Sequence, residues 1–237
     1  MNFLVFAYFY FPIDKWYFIL VLPCFLLSLF AQFKVKSTFE RYSKISSQRG
    51  LTGSSVARDI LQSGGLNHIG VERVRGSLTD HYSPKEEVLR LSDPVYNSSS
   101  IAALGVAAHE SGHALQYAAA YFPVQLRNVI YPVARLGSGA GPYLAIFGLM
   151  LQNNLLFNLG IIFYAAAVLF YLFTLPVEID ASRRALQVLE TGNYLTVEEV
   201  KGARAVLGAA ALTYVAAAAT AFAAMLRLIL LHNDQER

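Results

Sequence analysis

Charge-free apolar runs long enough to cross a bilayer alternate along this chain with stretches in which polar and apolar residues mix. A helical span needs about 20 mostly apolar residues. Residues 16–33 open on Trp16 and carry no charge. Residues 129–151 form a weaker run that contains Arg135 and the small residues Gly137, Ser138, Gly139, Ala140 and Gly141. Residues 155–177 are free of charge, and residues 206–231 are Ala-rich with Arg227 near the end, where a long side chain can snorkel to the interface. Four transmembrane helices are therefore expected. Small residues at Gly137, Gly141 and 216–219 should let the second and fourth approach closely inside a bundle. Residues 1–13 are apolar but split from the first run by Pro12, Asp14 and Lys15, and no cleavage signal follows, so this end reads as an uncleaved anchor.

Between the first two runs the pattern changes to that of a small folded unit. Thr52 is placed to cap a helix reaching Leu61, with Val56, Ile60 and Leu61 inward and Gly64 and Gly65 ending it. Residues 69–74 read as a strand. Residues 78–82 and 88–91 read as a hairpin around Ser83, Pro84, Lys85 and Glu86. Asn97 or Ser98 is the expected cap of a helix over residues 99–119. Residues 152–154 are a tight turn.

Composition supports the membrane reading, since 55% of the chain is hydrophobic and 15% charged against roughly 25% charged in soluble domains. Fifteen of the 19 Lys and Arg residues fall between the first and second runs or between the third and fourth. The positive-inside rule puts both loops in the cytoplasm and both termini outside. The net charge of +3, with no basic run interleaved with aromatics, excludes nucleic acid as a partner. Cys24 is the single cysteine, so any bound metal must be held by His and carboxylates.

The candidate chemistry lies in the last helix of the first loop, where His109, Glu110, Ser111, Gly112 and His113 form an HExxH pattern. Positions four apart on a helix return to within about 40° of each other, so His109 and His113 can bind one Zn2+. Glu110 lies about 100° round, within reach of the water that zinc activates and poorly placed to be a ligand. It is the expected general base. Ile101 to Ala108 contain no charge, so the pair enters an apolar setting in which idle polar groups are costly. Such a site needs a third protein ligand. The candidate is Glu178 at the border of the third run, with Asp180 and His81 as rivals. Charge developing on the substrate needs a further donor, for which Tyr82 and His81 are the catalytic candidates and Arg183 the alternative. The strand at 88–91 is expected to be the sheet edge on which an extended peptide adds.

The stretches HESGHALQ at 109–116, LTDHYSP at 78–84, LPVEIDASRRAL at 175–186 and ALTYVAAA at 211–218 resemble the bacterial neutral zinc metallopeptidases of the YugP-like membrane family, from residue 31 onward. The resemblance implies a membrane zinc peptidase. The arrangement is also similar to the wider gluzincins, in which a glutamate on a later helix completes the zinc site and an aspartate four residues on orients a ligand histidine. Here that position is Ser182, so the orienting group is Ser182, Asp180 or Asp80.

The expected fold is mainly α: a multi-span helical membrane protein with a small α+β cytoplasmic zincin-like unit. Its expected parts are a membrane anchor at 1–33, a metallopeptidase unit at 34–127, two transmembrane helices at 128–177, cytoplasmic helices with the third ligand at 178–205, and a last transmembrane helix at 206–237. The expected function is zinc-dependent endoproteolysis at the plasma membrane with the site on the cytoplasmic side. Its partners would be the lipid bilayer and peptide or protein substrates, membrane-border segments among them. A zinc-binding scaffold without proteolysis is the alternative.

Overall fold

The computed structural model describes residues 14–235; the apolar residues 1–13, read above as part of the anchor, lie outside them. A five-residue π-helical turn, Tyr17–Val21, leads into α1 (Leu22–Tyr42). Pro23 has no N–H to return to the preceding turn, which accounts for the widened winding just before it. There follow α2 (Gly53–Ser63), β1 (Gly70–Val74), β2 (His81–Ser83), β3 (Val88–Ser92), a single turn α3 (Asp93–Tyr96) and α4 (Ile101–Ala118). Three long helices close the chain: α5 (Phe122–Met150), α6 (Asn154–Thr191) and α7 (Val197–Gln235). The turns between them use Gln152 and Asn193, each at positive φ. Thr196 and Glu199 open α7 as a reciprocal capping box, Thr196 N donating to Glu199 Oε2 at 2.8 Å and Glu199 N to Thr196 Oγ1 at 3.4 Å.

The chain divides into two compact units. Of the described residues, one takes 14–30, 129–172 and 215–235. Within it the glycines of α5 allow a close approach, as their small size suggested, and the helix they meet is α6. A Cβ on Gly141 would lie 2.7 Å from Tyr164 N, and one on Gly137 would collide with the carbonyl of Phe163. A buried cluster of Ala145, Leu149, Phe157 and Leu228 fills this unit. By length and composition, three helices can cross a membrane: Tyr17–Tyr42, Asn154–Thr191 and Val197–Gln235. The weak second run does form a helix, α5, but with Pro132 and Pro142 inside it and outside that set of three.

The other unit, Ala31–Asn128 and Phe173–Tyr214, holds the sheet and the HExxH helix. Thr52 caps α2 as expected, its hydroxyl accepting from Ser55 N, and Val56, Ala57, Ile60 and Leu61 are buried along one face. The hairpin forms, but its first strand is His81–Ser83, so residues 78–80 are loop, with Leu78 at φ 60°. The cap of α4 is Ser100, whose hydroxyl accepts from Ala103 N, and not Asn97 or Ser98; Asn97 is instead the C-cap of α3.

One expectation is overturned. The strand order is β1-β3-β2, with β3 parallel to β1 and antiparallel to β2. The strand at 88–91 is thus central, not an edge. Its surroundings fit the placement: Val88, Leu89 and Leu91 are all buried, and with water kept from the strand its N–H and C=O groups find their partners on β1 and β2. The sheet edges are β1 and β2.

Candidate metal centre

The centre is built where α4 crosses α6. Gly112 makes the crossing close: a Cβ there would lie 2.7 Å from the Ala181 carbonyl oxygen. Ser111, fully buried, turns its hydroxyl back to Ala107 O at 2.8 Å. The two residues between the histidines thus serve packing, and His109 and His113 project beside them with ring centroids 4.7 Å apart. From α6, Glu178 meets both. Its Oε2 lies 3.3 Å from His109 Nε2 and 3.6 Å from His113 Nε2. Among the described residues these three form the His/Cys/Asp/Glu group able to hold a metal ion.

The neighbouring groups decide which lone pairs face inward. Gln116, completely buried one turn beyond His113, donates its Nε2 hydrogens to Val177 O and Asp180 Oδ2, both at 2.9 Å. Its Oε1 is therefore the acceptor, 3.1 Å from His113 Nδ1. That places the proton of His113 on Nδ1 and leaves the Nε2 lone pair directed at Glu178. Ser182 Oγ lies 3.1 Å from His109 Nδ1 and orients that ring. Asp180 is itself held by Arg183 and Arg184. It acts on His113 through Gln116 and is not a member of the ligand group. Asp80, the third orienting candidate, is spent on Ser92, accepting from its N at 2.7 Å and its Oγ at 2.8 Å.

Glu178 is 5% exposed, and its Oε2 is buried with no well-formed hydrogen bond. Such an atom is costly to leave idle. Ligand atoms about 2.1 Å from a tetrahedral zinc stand about 3.4 Å from each other, and the two Nε2 to Oε2 separations bracket that value. The donor set therefore fits zinc. The electrostatics favour a cation too. Burial alone would push Glu178 up, but the facing imidazoles outweigh it and hold the carboxyl below its ordinary range. Burial alone would push His113 down, but Glu178 and Glu110 raise it above 6.5. Without metal, a proton is drawn to the place of the missing positive charge.

Two recesses meet at this centre. A polar one of about 220 Å³ is lined by His81, Tyr82, Glu110, Tyr117, Arg127 and Tyr214, among others. A more apolar one of about 290 Å³ shares His109, Glu110 and Glu178 with it. Both catalytic candidates from the hairpin, His81 and Tyr82, thus border the polar recess. His81 Nδ1 is tied to Thr79 O at 2.8 Å. Tyr82 packs edge-on against Tyr117, and burial, with Glu87 and Tyr117 nearby, raises its phenol pKa and keeps it a donor. Arg183, the alternative donor, pairs with Asp180, its side chain 75% exposed, and does not line that recess.

Three residues were invisible as site residues in the sequence. Tyr214 borders both recesses together with Glu178, and Arg127 Nη1 lies 3.7 Å from Glu178 Oε1. Gln116 is the link described above. Gln116 alone left a signal, standing three residues after His113 on the same helical face. Arg127 reads as one more positive charge at a membrane border, and Tyr214 as an aromatic in an Ala-rich run.

Comparison with known proteins agrees with this geometry. Residues 17–233 match the family model described as "Putative neutral zinc metallopeptidase". The "Putative membrane protease YugP" of Bacillus subtilis (strain 168) is 49% identical over 205 residues, 86% of this chain and 91% of that relative. No solved structure matches the chain.

Proposed function

The chain belongs to the family described as "Putative neutral zinc metallopeptidase", and from that premise we propose that it is a membrane-anchored zinc endopeptidase with His109, His113 and Glu178 as ligands and Glu110 as general base. The observation that carries this reading is the buried, unpartnered Glu178 Oε2 between two Nε2 atoms, at spacings that suit zinc. Zinc, when bound, supplies Lewis-acid activation of water and of the peptide carbonyl. Glu110, one residue on from His109 and bordering both recesses, takes the proton from the attacking water and returns it to the leaving amine. The phenols of Tyr82 and Tyr214, with His81 and Arg127, surround the polar recess and stabilise the charge that develops on the carbonyl oxygen. Ser182 and Gln116 hold the two ligand imidazoles in place.

The three apolar helices support a plasma-membrane location, α5 being the weakest of four proposed spans. The distribution of Lys and Arg supports a cytoplasmic site. Substrates would be peptides or protein segments near the membrane border. Glu110→Gln tests the reading. In detergent-purified protein it should keep one zinc per chain and lose cleavage by at least about 100-fold. A zinc-loaded wild type that cleaves nothing would instead favour the scaffold.

A further inference from the structure

The two recesses at the centre differ in character, and the difference reads as substrate preference. The apolar recess is walled by Val106 on the HExxH helix, Leu207, Ala210 and Ala211 on α7, and Val35 and Phe39 on α1. Leu207, Ala210, Ala211 and Tyr214 recur at helical spacing, so α7 presents one continuous face to the site, apolar until its last member. Val106 stands one turn before Glu110 on α4. The recess is continuous with the candidate catalytic groups, since His109, Glu110, Glu178 and Tyr214 border both cavities. Its volume, about 290 Å³, lies just below the range of about 300–1,000 Å³ that encloses a whole small ligand. That is room for one large side chain.

We propose, resting on the peptidase reading above, that this recess receives a bulky apolar side chain, such as Leu or Phe, of the residue next to the scissile bond. Ala210 sets its depth. Besides Glu110 and Glu178 the recess is bordered by one charged residue, Asp80, whose carboxylate is taken up by Ser92 N and Oγ, so an acidic side chain entering there would lose its water without a partner. The substrate class that fits is an extended segment with a large apolar residue at the cut. Val35 stands two residues beyond the charge-free run that ends at Phe33, and the α7 wall begins inside the apolar run from Val206. The recess is thus floored by helices at the ends of their apolar stretches, where such segments of membrane proteins emerge.

The test uses detergent-purified, zinc-loaded full chain and a set of peptides alike except for Gly, Ala, Leu, Phe, Asp or Lys at one position. Wild type should prefer Leu or Phe over Gly at the residue beside the cut by about 10- to 100-fold in kcat/KM, the range that a hydrophobic pocket discriminates. Ala210→Phe fills the recess, so it should reverse the preference toward Gly and Ala while zinc content stays at one per chain. Val106→Phe fills it from the opposite wall and should do the same if the first variant fails to fold. Cleavage by wild type with no preference, or a preference unmoved by either variant, overturns the proposal and leaves the peptidase reading standing. Binding of the same peptides to Glu110→Gln, read by fluorescence polarisation, separates the two ideas. If nothing is cleaved but Leu and Phe peptides bind Glu110→Gln and lose affinity when Ala210→Phe is added, the recess stands and proteolysis falls. If nothing is cleaved or bound, both fall.

Discussion

Glu178 and Asp180 stand two residues apart on α6, both at least 95% buried, and their carboxylates meet opposite surroundings. Both oxygens of Asp180 are answered: Arg183 donates to Oδ1, and Arg184 Nε at 2.6 Å and Gln116 Nε2 at 2.9 Å donate to Oδ2. Glu178 Oε2 faces two imidazole Nε2 atoms, one of them a lone pair by the tautomer that Gln116 imposes. A helix turns about 200° over two residues, so the two carboxylates look to different neighbours although they share one local sequence. Burial therefore does not separate a structural carboxylate from a functional one. The count of donors aimed at each oxygen does.

The largest effect should come from removing the unanswered charge. Glu178→Gln should lower zinc affinity by more than about 100-fold, because partners of ligands alone are worth about 10- to 100-fold and a ligand is worth more. Competition with a chromogenic chelator measures it. Asp180→Asn should do the converse. It should keep its zinc within the range of an orienting group and lose about 1–3 kcal/mol of stability, toward the low end because the Arg183 side chain is 75% exposed. If Asp180→Asn loses more zinc than Glu178→Gln, the comparison fails.

The same contrast explains what the sequence revealed and what it hid. His109 and His113 were legible because helical period alone fixes their common face, Glu110 because it stands next to His109 in the pattern, and Glu178 because a lone carboxylate at the end of a charge-free run needs a reason. The cap at Thr52 and the hairpin turn were legible because both are local. What failed was non-local. That β3 is central depends on β1 joining it in parallel across residues 75–87, and nothing in the five residues of β3 distinguishes a two-sided strand from a half-covered one. Tyr214 and Arg127 reach the site because α7 and α5 pass it, and their own neighbours in sequence point to a membrane helix. That Gly137 and Gly141 pack on α6 was hidden for the same reason: small residues announce a close neighbour without naming it.

A smaller effect should follow from cutting the link between the two carboxylates. Gln116→Leu removes the acceptor of His113 Nδ1 and leaves Val177 O without its donor. Zinc affinity should fall about 10- to 100-fold. A merely structural role would lower stability and leave the imidazole as it was. The distinguishing readout is the nitrogen NMR spectrum of metal-free protein near neutral pH, where the neutral form of His113 should lose its Nδ1–H bias in the variant. An unchanged tautomer with unchanged zinc affinity would show that Gln116 only packs.

The smallest effect tests whether donors matter as much once water can replace them. Asp93, at the start of α3, has partners of the same kind as Asp180: Arg73 Nε at 2.7 Å and Gly76 N at 3.1 Å. Gly76 is at φ 109°, a conformation that side chains rarely adopt, so the carboxylate pins a turn that depends on glycine. Unlike Asp180 it is exposed, and solvent screens the ion pair. The Gly76 N–H and the Arg73 guanidinium hold its carboxyl below 3.8. A carboxyl depressed by folding stabilises the fold above its unfolded value and loses that contribution as pH falls through the folded one. Asp93→Asn should therefore lower the thermal midpoint slightly at pH 7, and the gap from wild type should close as acidification passes below 3.8 and through the lowered folded value. A gap that persists in acid would assign the contribution to hydrogen bonding alone. A gap as large as that of Asp180→Asn would mean that exposure does not weaken such a carboxylate, against the rule drawn from α6.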